Sequence, residues 1–289
     1  MIRKCLFPVA GYGTRFLPAT KSMPKEMMPV VNKPLVQYGV EEAFQAGMTD
    51  MAFVTGRGKR AIPDHFDISY ELEAQIAGTD KEDRLTDIRH LIQNCTFTYT
   101  RQKQMLGLGH AILTGETLIG DQPFGVVLAD DLCITEDGDG VLAQMVQLYK
   151  QFRCSIVAIE EVPASETDKY GIIQGEEVRD DIYRVESMVE KPAPGDAPSN
   201  LAIIGRYILT PDIFELLRET PVGKGGEIQL TDALLRQAQT GCVMAYRFKG
   251  RRFDCGSVDG FVEATNYCYE HVYKKTRQTA TVEPLVKEG

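Results

Sequence analysis

The sequence predicts an α/β fold built on a parallel, doubly wound sheet. Two observations predict it. Short apolar runs alternate with longer amphipathic segments through the first half, and the first apolar run leads straight into a glycine turn. A β-α-β-α-β succession of this kind is typical of parallel sheets covered by helices. The 289 residues suffice for a sizeable core, as one large domain or two smaller ones.

The first half supplies the elements of that sheet. Residues 34–47 predict a helix, since Pro34 stands in its first turn and Gly47 at its end. Residues 140–152 predict another helix. Strands are predicted over residues 3–10, 51–55, 96–100 and 124–129. The last of these, FGVVLA, is apolar throughout and is therefore expected to be buried.

After about residue 154 the pattern changes to strands separated by loops. The predicted strands cover residues 155–160, 171–175, 183–189 and 201–209, and the predicted helices cover 211–218, 227–239 and 258–275. No repeat, low-complexity tract or Gly/Ser linker interrupts the chain. We therefore expect a single domain over residues 1–277 and a frayed tail over residues 278–289.

Composition excludes several classes of protein. The 32 basic and 41 acidic residues give a net charge of −9, which disfavours nucleic acid as a partner. No apolar run approaches the ~20 residues of a membrane helix, and the N-terminus lacks an A-x-A-like cleavage site. The seven cysteines form no C-x-x-C pair, and the four histidines form no H-E-x-x-H motif. Reduced thiols in a cytoplasmic protein, with no membrane contact, are the expectation.

The glycine turn after the first strand is the most informative segment. It reads PVAGYGTRFLP over residues 8–18 and continues as KSMPKEMMP over residues 21–29. Glycines such as Gly11 and Gly13 let backbone N–H groups approach a phosphate chain closely. Arg15, Lys21 and Lys25 add three cations to a short segment of a protein of net negative charge. The segment therefore predicts a polyanionic ligand.

Other glycine loops and other nucleophiles do not fit this sequence. The G-x-G-x-x-G dinucleotide fingerprint fails because Phe16 occupies the third glycine position, which argues against a NAD-dependent dehydrogenase. The chain contains no G-x-x-x-x-G-K-[ST] phosphate loop, no protein-kinase signature and no G-x-S-x-G elbow for a serine nucleophile.

The loop instead carries the G-x-G-T-R…P-K signature, and further motifs follow it in order. They are PATKSMPKEMMPVVNKPLVQYGVEEA, HFDISYELE (65–73), RQ followed by LGLGHA (106–111), VEKP (189–192), IQLTDAL (228–234) and DCGS (254–257). With these motifs the chain resembles the sugar-1-phosphate nucleotidyltransferases over about residues 2–275.

The resemblance implies a Rossmann-like fold of the nucleotidyltransferase type, with a mixed, mainly parallel sheet flanked by helices. Residues 1–150 would form the nucleotide-binding half and residues 151–277 a β-rich, sugar-binding half. The implied reaction is transfer of a uridylyl group from UTP to glucose 1-phosphate, giving UDP-glucose and pyrophosphate with Mg²⁺. A homodimer or homotetramer is the implied assembly. A thymidylyltransferase and a catalytically silent regulatory paralogue remain alternatives.

The resemblance also implies roles in the nucleotide half. Arg15 and Lys25 would hold the α-phosphate and the leaving pyrophosphate, because fixed cations stabilise the charge that develops in phosphoryl-type transfer. Lys21 would either join them or lie at the rim. The nucleotide-binding residues would be Ala10, Gly11, Gly13, Thr14, Glu26, Gln102, Gly107 and Asp131. Of these, Glu26 and Gln102 would read the uracil, whereas Asp131 is also a candidate turn former.

The sugar half and the metal site complete the list. Two carboxylates, Asp130 and Asp131, follow the predicted buried strand 124–129, where open α/β sheets bind ligands. Mg²⁺ takes one or two carboxylates together with phosphate oxygens. Asp130 is therefore chemically apt as a metal ligand, and in the resemblance it occupies the metal position. The resemblance also implies a second metal carboxylate at Asp254, a position that differs among subfamilies. The sugar-phosphate residues would be Gly171, Glu190, Lys191 and Gly205. His110 is assigned no catalytic role.

Overall fold

The computed structural model describes residues 2–135, 138–193 and 195–275. The predicted tail over residues 278–289 lies outside these residues. The strands are β1 Lys4–Val9, β2 Pro29–Val30, β3 Lys33–Pro34, β4 Asp50–Thr55, β5 Thr96–Arg101, β6 Phe124–Val127, β7 Asp131–Ile134, β8 Ser155–Glu161, β9 Gly171–Arg179, β10 Ile182–Glu190, β11 Leu201–Leu209, β12 Val243–Arg247 and β13 Arg251–Asp254. The helices are α1 Leu35–Gln45, α2 Ala61–His65, α3 Tyr70–Ile76, α4 Thr86–Asn94, α5 Gly107–Thr114, α6 Glu116–Ile119, α7 Val141–Phe152, α8 Ile213–Glu219, α9 Leu230–Thr240 and α10 Val258–Cys268.

Nine of the described strands form one mixed sheet. Their order is β5-β4-β1-β6-β11-β8-β12-β10-β9. The strands β5, β4, β1 and β6 run parallel to one another. Strand β11 joins them antiparallel to β6, and β9 pairs with both β10 and β11. The predicted α/β fold with a mixed central sheet is therefore confirmed. In the second half of the sheet, the last strand, β9, returns to pair with β11.

The sheet is covered on both faces because its strands are apolar on both faces. In β1, Phe7 packs into the cluster that contains Val36 of α1, whereas the preceding residue Leu6 packs into the cluster that contains Ile112 of α5. All four side chains are fully buried. Successive residues of a strand point to opposite faces, so this double burial is what a doubly wound sheet requires.

Several predicted elements have different bounds in the structure. Helix α1 begins at Leu35, since Pro34 pairs with Pro29 in a small hairpin. Helix α9 begins at Leu230, not at residue 227, because the backbones of Glu227 and Gln229 are extended and that of Ile228 bonds to Leu106 and Gly109. Helix α10 ends at Cys268 and continues as a π-helix over Tyr269–Tyr273. The sequence pattern did not predict β7, β12, β13 or the helices between residues 61 and 94.

A buried ion pair joins the two halves of the chain at the carboxyl end of β6. Arg206 of β11 is 1% exposed, and its guanidinium donates to both carboxylate oxygens of Glu42 in α1, at 2.8 to 3.2 Å. It also donates to the carbonyls of Leu128 and Gly205. The glutamate in turn accepts from the backbone N–H of Leu142 in α7. This network holds β11 against the end of β6, where the predicted site lies.

Two sequence expectations concern the chain as a whole. The seven cysteines are free thiols. Within the described residues, none of the helices is both long enough and apolar enough to cross a membrane.

Candidate active site

The glycine loop leaves β1 at Val9 and turns at Gly13. Gly13 has φ +67°, a conformation that side chains with a Cβ rarely adopt. A Cβ at this position would also lie 3.1 Å from the Cβ of Lys25. The hydroxyl of Thr20 donates to the Gly13 carbonyl at 2.8 Å and fixes the turn. The loop therefore packs directly against the segment that carries Lys25.

A cavity of about 330 Å³ opens over this loop. We call it the nucleotide cavity. It is lined by six of the eight predicted nucleotide-binding residues: Ala10, Gly11, Gly13, Thr14, Gln102 and Gly107. A Cβ added to Gly11 would meet no atom within 4 Å, so the loop leaves open space above this glycine. The structure thus brings the glycine loop together with the residues that follow β5.

Gln102 and Gly107 face the loop from the other side of this cavity. Gln102 is 5% exposed, and its backbone N–H donates to Thr55 O at the end of β4. Gly107 begins α5 with φ +86°, and a Cβ there would lie 2.6 Å from the Cβ of Glu227. Glycine at 107 is therefore required twice, by its backbone conformation and by the close approach of Glu227.

Glu26 lies outside the lining of the nucleotide cavity. It is 1% exposed, and its carboxylate accepts from Lys59 Nζ at 2.7 Å. Burial raises the pKa of Glu26, against the opposing charges of Lys59 and Lys25. The predicted uracil contact of Glu26 stays a prediction, and the observed contact is a buried ion pair directly beside Lys25.

A second, larger cavity of about 940 Å³ adjoins the first, and the two share Leu108 and Glu227. We call it the sugar cavity. Eight predicted site residues line it: Arg15, Asp130, Asp131, Gly171, Glu190, Lys191, Gly205 and Asp254. Lys21 is exposed and lines neither cavity, and its role stays a prediction.

The predicted metal ligands converge on one glycine. Asp130 Oδ2 lies 3.2 Å, and Asp254 Oδ1 2.9 Å, from the position that a Cβ of Gly256 would take. Arg15 Nη1 lies 3.2 Å from the same position and donates to the Gly256 carbonyl. Lys25 Nζ donates to Asp130 Oδ2 at 2.5 Å. Two carboxylates and two cations therefore meet at one place in the wall of the sugar cavity, beside the glycine loop.

The lysine and the aspartate keep each other charged. Burial alone would lower the pKa of Lys25, but the carboxylates of Asp130 and Glu26 together outweigh it and raise that pKa. Burial alone would raise the pKa of Asp130, but the Lys25 ammonium, a backbone hydrogen bond and the Arg15 guanidinium together outweigh it and lower that pKa. Lys25 is thus a fixed cation and Asp130 a fixed anion at neutral pH.

This donor set suits a magnesium ion that arrives with a phosphate chain. Among the described residues, no group of three or more His, Cys, Asp or Glu side chains is placed to hold a metal by itself. The two carboxylates near Gly256 are hard oxygen ligands, and Mg²⁺ is usually held by one or two carboxylates plus substrate phosphates. Asp130 and Asp254 therefore fit a metal whose remaining ligands come from substrate.

Asp131 points into a different network. Its Oδ2 accepts from the backbone N–H of Gly205 at 2.7 Å, and its Oδ1 accepts from Arg252 Nε at 2.7 Å. The Arg252 guanidinium also donates to Glu160 Oε1 at 2.5 Å and to the Tyr170 hydroxyl at 3.2 Å. Both oxygens of Asp131 are thus occupied by protein donors. Its predicted nucleotide contact stays a prediction.

The far wall of the sugar cavity is built around Glu190. Glu190 Oε2 accepts from the hydroxyl of Thr231 in α9 at 3.1 Å. A Cβ on Gly171 would lie 2.6 Å from Thr231 Cγ2 and 3.1 Å from Glu190 Oε2. Lys191 has φ +45°, and its ammonium lies 3.4 Å from Glu190 Oε1. The carboxylate and the ammonium therefore form one polar group on the cavity wall.

Four residues that shape the site were not among the predicted site residues: Lys59, Arg252, Gly256 and Glu227. Arg252 and Gly256 flank Asp254 in the chain, so the alternation of side chains along a strand would have placed Arg252 on the same face as Asp254. Lys59 and Glu227 approach their partners from distant parts of the chain and gave no sequence signal.

Comparisons with known proteins agree on one family. The family described as Nucleotidyl transferase matches residues 8–271. A curated relative from Pseudomonas aeruginosa, named UTP–glucose-1-phosphate uridylyltransferase, is 72% identical over 274 residues, which cover 95% of this chain and 98% of the relative.

Solved structures give the same result. The chain is similar to a UDP-glucose pyrophosphorylase complexed with UDP-glucose, with a TM-score of 0.88 and 60% identity over 93% of this chain and 99% of the other. It is also similar to the UTP-bound UGPase from Acinetobacter baumannii, with a TM-score of 0.87 and 39% identity over 99% of this chain and 100% of the other.

Proposed function

Because the chain belongs to the nucleotidyl transferase family, we propose that it transfers a uridylyl group from UTP to glucose 1-phosphate, releasing UDP-glucose and pyrophosphate. One observation of the site supports this most directly. Lys25 packs against Gly13 of the nucleotide cavity and bonds to Asp130 of the sugar cavity. One side chain thus links a residue of each cavity, with its stem against the glycine loop and its ammonium on Asp130.

The nucleotide lies, in this proposal, over the glycine loop. Backbone N–H groups around Gly11 and Gly13 face the phosphates, as glycine-rich loops after a buried strand do in other nucleotide sites. Gln102 and Gly107 contact the base. Glu26 follows Lys25 in the chain, and its ion pair with Lys59 holds the backbone that carries Lys25 in place.

The sugar phosphate occupies the larger cavity. The Glu190 carboxylate accepts hydrogen bonds from hexose hydroxyls, and the Lys191 ammonium pairs with the phosphate. Gly171 allows the sugar to approach the backbone. Asp131, held by Arg252, fixes Gly205 and with it the floor of this cavity.

The reaction needs no protein nucleophile. A phosphate oxygen of glucose 1-phosphate attacks the α-phosphorus of UTP in line. The new oxygen–phosphorus bond forms as the bond from the α-phosphorus to the β-phosphate oxygen breaks, and pyrophosphate leaves with that electron pair. Arg15 and Lys25 offset the charge that develops on the phosphate oxygens, so catalysis rests on positioning and electrostatics.

The family generally uses a divalent metal, and we assign this chain Mg²⁺. Asp130 and Asp254 would hold the ion. When bound, Mg²⁺ polarises phosphate oxygens and offsets their charge. The homodimer or homotetramer and the cytoplasmic location stay predictions, and light scattering of the purified chain tests the assembly.

A substrate matrix tests the proposed function. Pyrophosphate release is measured for each nucleoside triphosphate with each of several hexose 1-phosphates, in Mg²⁺ and in excess EDTA. We expect the fastest turnover with UTP and glucose 1-phosphate, and its loss in EDTA. Equal or faster use of dTTP would point to a thymidylyltransferase, and no release from any pair would point to a silent paralogue.

A further inference from the structure

The amide of Gln102 has its orientation fixed by the protein. Its Nε2 lies 3.2 Å from the carbonyl oxygen of Gly107. A carbonyl oxygen only accepts hydrogen bonds, so the amide nitrogen and not the amide oxygen must face it. Turning the amide over would place two acceptors against each other. The Gly107 carbonyl therefore helps to hold the amide nitrogen on this side, through the longer of two contacts that this nitrogen makes.

The same nitrogen makes a second contact, with a histidine. Gln102 Nε2 lies 2.9 Å from Nδ1 of His110. An amide nitrogen cannot accept, so His110 Nδ1 must be the acceptor, and the proton of the neutral ring must be on its Nε2. Both hydrogens of the Gln102 amide are then used within the protein, one by Gly107 and one by His110.

We propose that His110 is a positioning residue that sets the base specificity of the nucleotide cavity. By holding the amide nitrogen, it leaves Gln102 with only Oε1, an acceptor, to offer to a base. Gln102 lines the nucleotide cavity and is 5% exposed, so this one atom decides what the side chain reads.

The consequence for the base rests on the proposed uridylyl transfer. Uracil has a single N–H on its pairing edge, at N3, whereas cytosine has an unprotonated acceptor at N3. An acceptor-only amide opposite N3 bonds to uracil and repels cytosine, which selects UTP over CTP. Thymine carries the same N3–H as uracil. This contact therefore does not distinguish dTTP from UTP.

The backbone around His110 is well fixed for such a role. The residue lies in the first turns of α5, where the Gly109 N–H donates to Ile228 O at 3.0 Å. The Leu106 carbonyl accepts from the Ile228 N–H at 2.8 Å. The hydroxyl of Thr114 donates to the His110 carbonyl at 2.8 Å. Two backbone hydrogen bonds thus hold the start of the helix against Ile228, and the backbone that carries the imidazole is fixed in position.

His110→Leu and His110→Phe test the proposal, since both remove the acceptor and the second keeps a ring. Initial rates give kcat/KM for UTP, CTP and dTTP with glucose 1-phosphate. We expect the UTP-to-CTP ratio of kcat/KM to fall by about tenfold or more in both variants. The UTP-to-dTTP ratio of kcat/KM should stay at its wild-type value. A general loss of structure around the site would change that ratio as well.

His110→Asn is the matched variant, because asparagine Oδ1 takes the place of imidazole Nδ1 and accepts. It should restore the wild-type UTP-to-CTP ratio. An unchanged UTP-to-CTP ratio in the Leu and Phe variants would overturn the role of His110. An Asn variant whose UTP-to-CTP ratio falls as far as theirs would also overturn it. Wild-type enzyme that does not use UTP would instead overturn the proposed function, so the two failures are distinguishable.

Discussion

Asp131 and Asp254 lie opposite each other in the antiparallel ladder of β7 and β13. Asp130 precedes Asp131 in the chain, and the ladder brings its carboxylate and that of Asp254 close together. Both lie within 3.2 Å of the position that a Cβ of Gly256 would take. It also places Arg252 so that its guanidinium bonds to Asp131. The short ladder therefore sets two things at once: the separation of the proposed metal ligands and the charge balance of the carboxylates behind them.

Replacing Arg252 tests that charge balance. In Arg252→Met the carboxylates of Asp131 and Glu160 lose their common cation, while the apolar stem is roughly kept. Because the Arg252 side chain is 7% exposed, we expect the free energy of unfolding to fall by about 3–5 kcal/mol. Urea denaturation measures the change.

The neighbouring arginine is the matched control. Arg251 pairs with Glu263 on the surface, where the two side chains are 54% and 58% exposed. Arg251→Met should cost about 1 kcal/mol or less, because exposed ion pairs contribute little. Equal losses in the two variants would contradict the assignment of Arg252 as the charge that holds Asp131.

Lys25 is expected to act mainly in the chemical step. Lys25→Ala removes the ammonium that bonds to Asp130, on a segment that packs against Gly13 of the glycine loop, so kcat should fall by about a hundredfold to a thousandfold. Pyrophosphate release at saturating substrates measures it. Lys21→Ala, which removes an exposed lysine of the same segment, should leave kcat within about twofold of wild type. A Lys25 variant as active as the Lys21 variant would refute this role.

Glu190 is expected to select the sugar. In Glu190→Ala the hydroxyl groups of the hexose lose an acceptor, so the KM for glucose 1-phosphate should rise by about tenfold or more. The KM for UTP should change little. Glu186→Ala, an exposed glutamate of the same strand, serves as the control and should behave as wild type. A change confined to the KM for UTP would place Glu190 in the wrong half of the site.

The parallel core could be predicted because its signals are local. Leu6 and Phe7 of β1 lie in one apolar run, and the structure buries them on opposite faces of the sheet. The β7–β13 ladder gave no comparable signal. Each strand is four residues long, and the two are far apart in the chain. Short strands of this kind are stabilised by pairing with each other, which a reading along the sequence does not show.

The candidate site shows the same division. The glycine loop, Asp130 and Asp254 lie in recognisable motifs, so their positions could be predicted. The contact of Lys59 with Glu26 and that of His110 with Gln102 depend on which elements become neighbours in space. Lysine and histidine have many ordinary surface roles, so their residue types alone did not indicate these contacts.

Two glycines with nearly the same backbone conformation separate strain from crowding. Gly107 has φ +86° and Gly58 has φ +82°. A Cβ on Gly58 meets nothing within 4 Å, whereas a Cβ on Gly107 lies 2.6 Å from the Cβ of Glu227. Gly58→Ala should therefore cost only the conformational strain, about 1–2 kcal/mol of unfolding free energy, and should leave the KM for UTP unchanged.

Gly107→Ala should cost more, because the start of α5 and the segment at Glu227 must move apart. That movement displaces a wall of the nucleotide cavity, so the KM for UTP should rise by about tenfold to a hundredfold. Urea denaturation and initial rates at saturating glucose 1-phosphate measure both quantities. Equal effects of the two substitutions on the KM for UTP would mean that the close approach of Glu227 does not shape the nucleotide cavity.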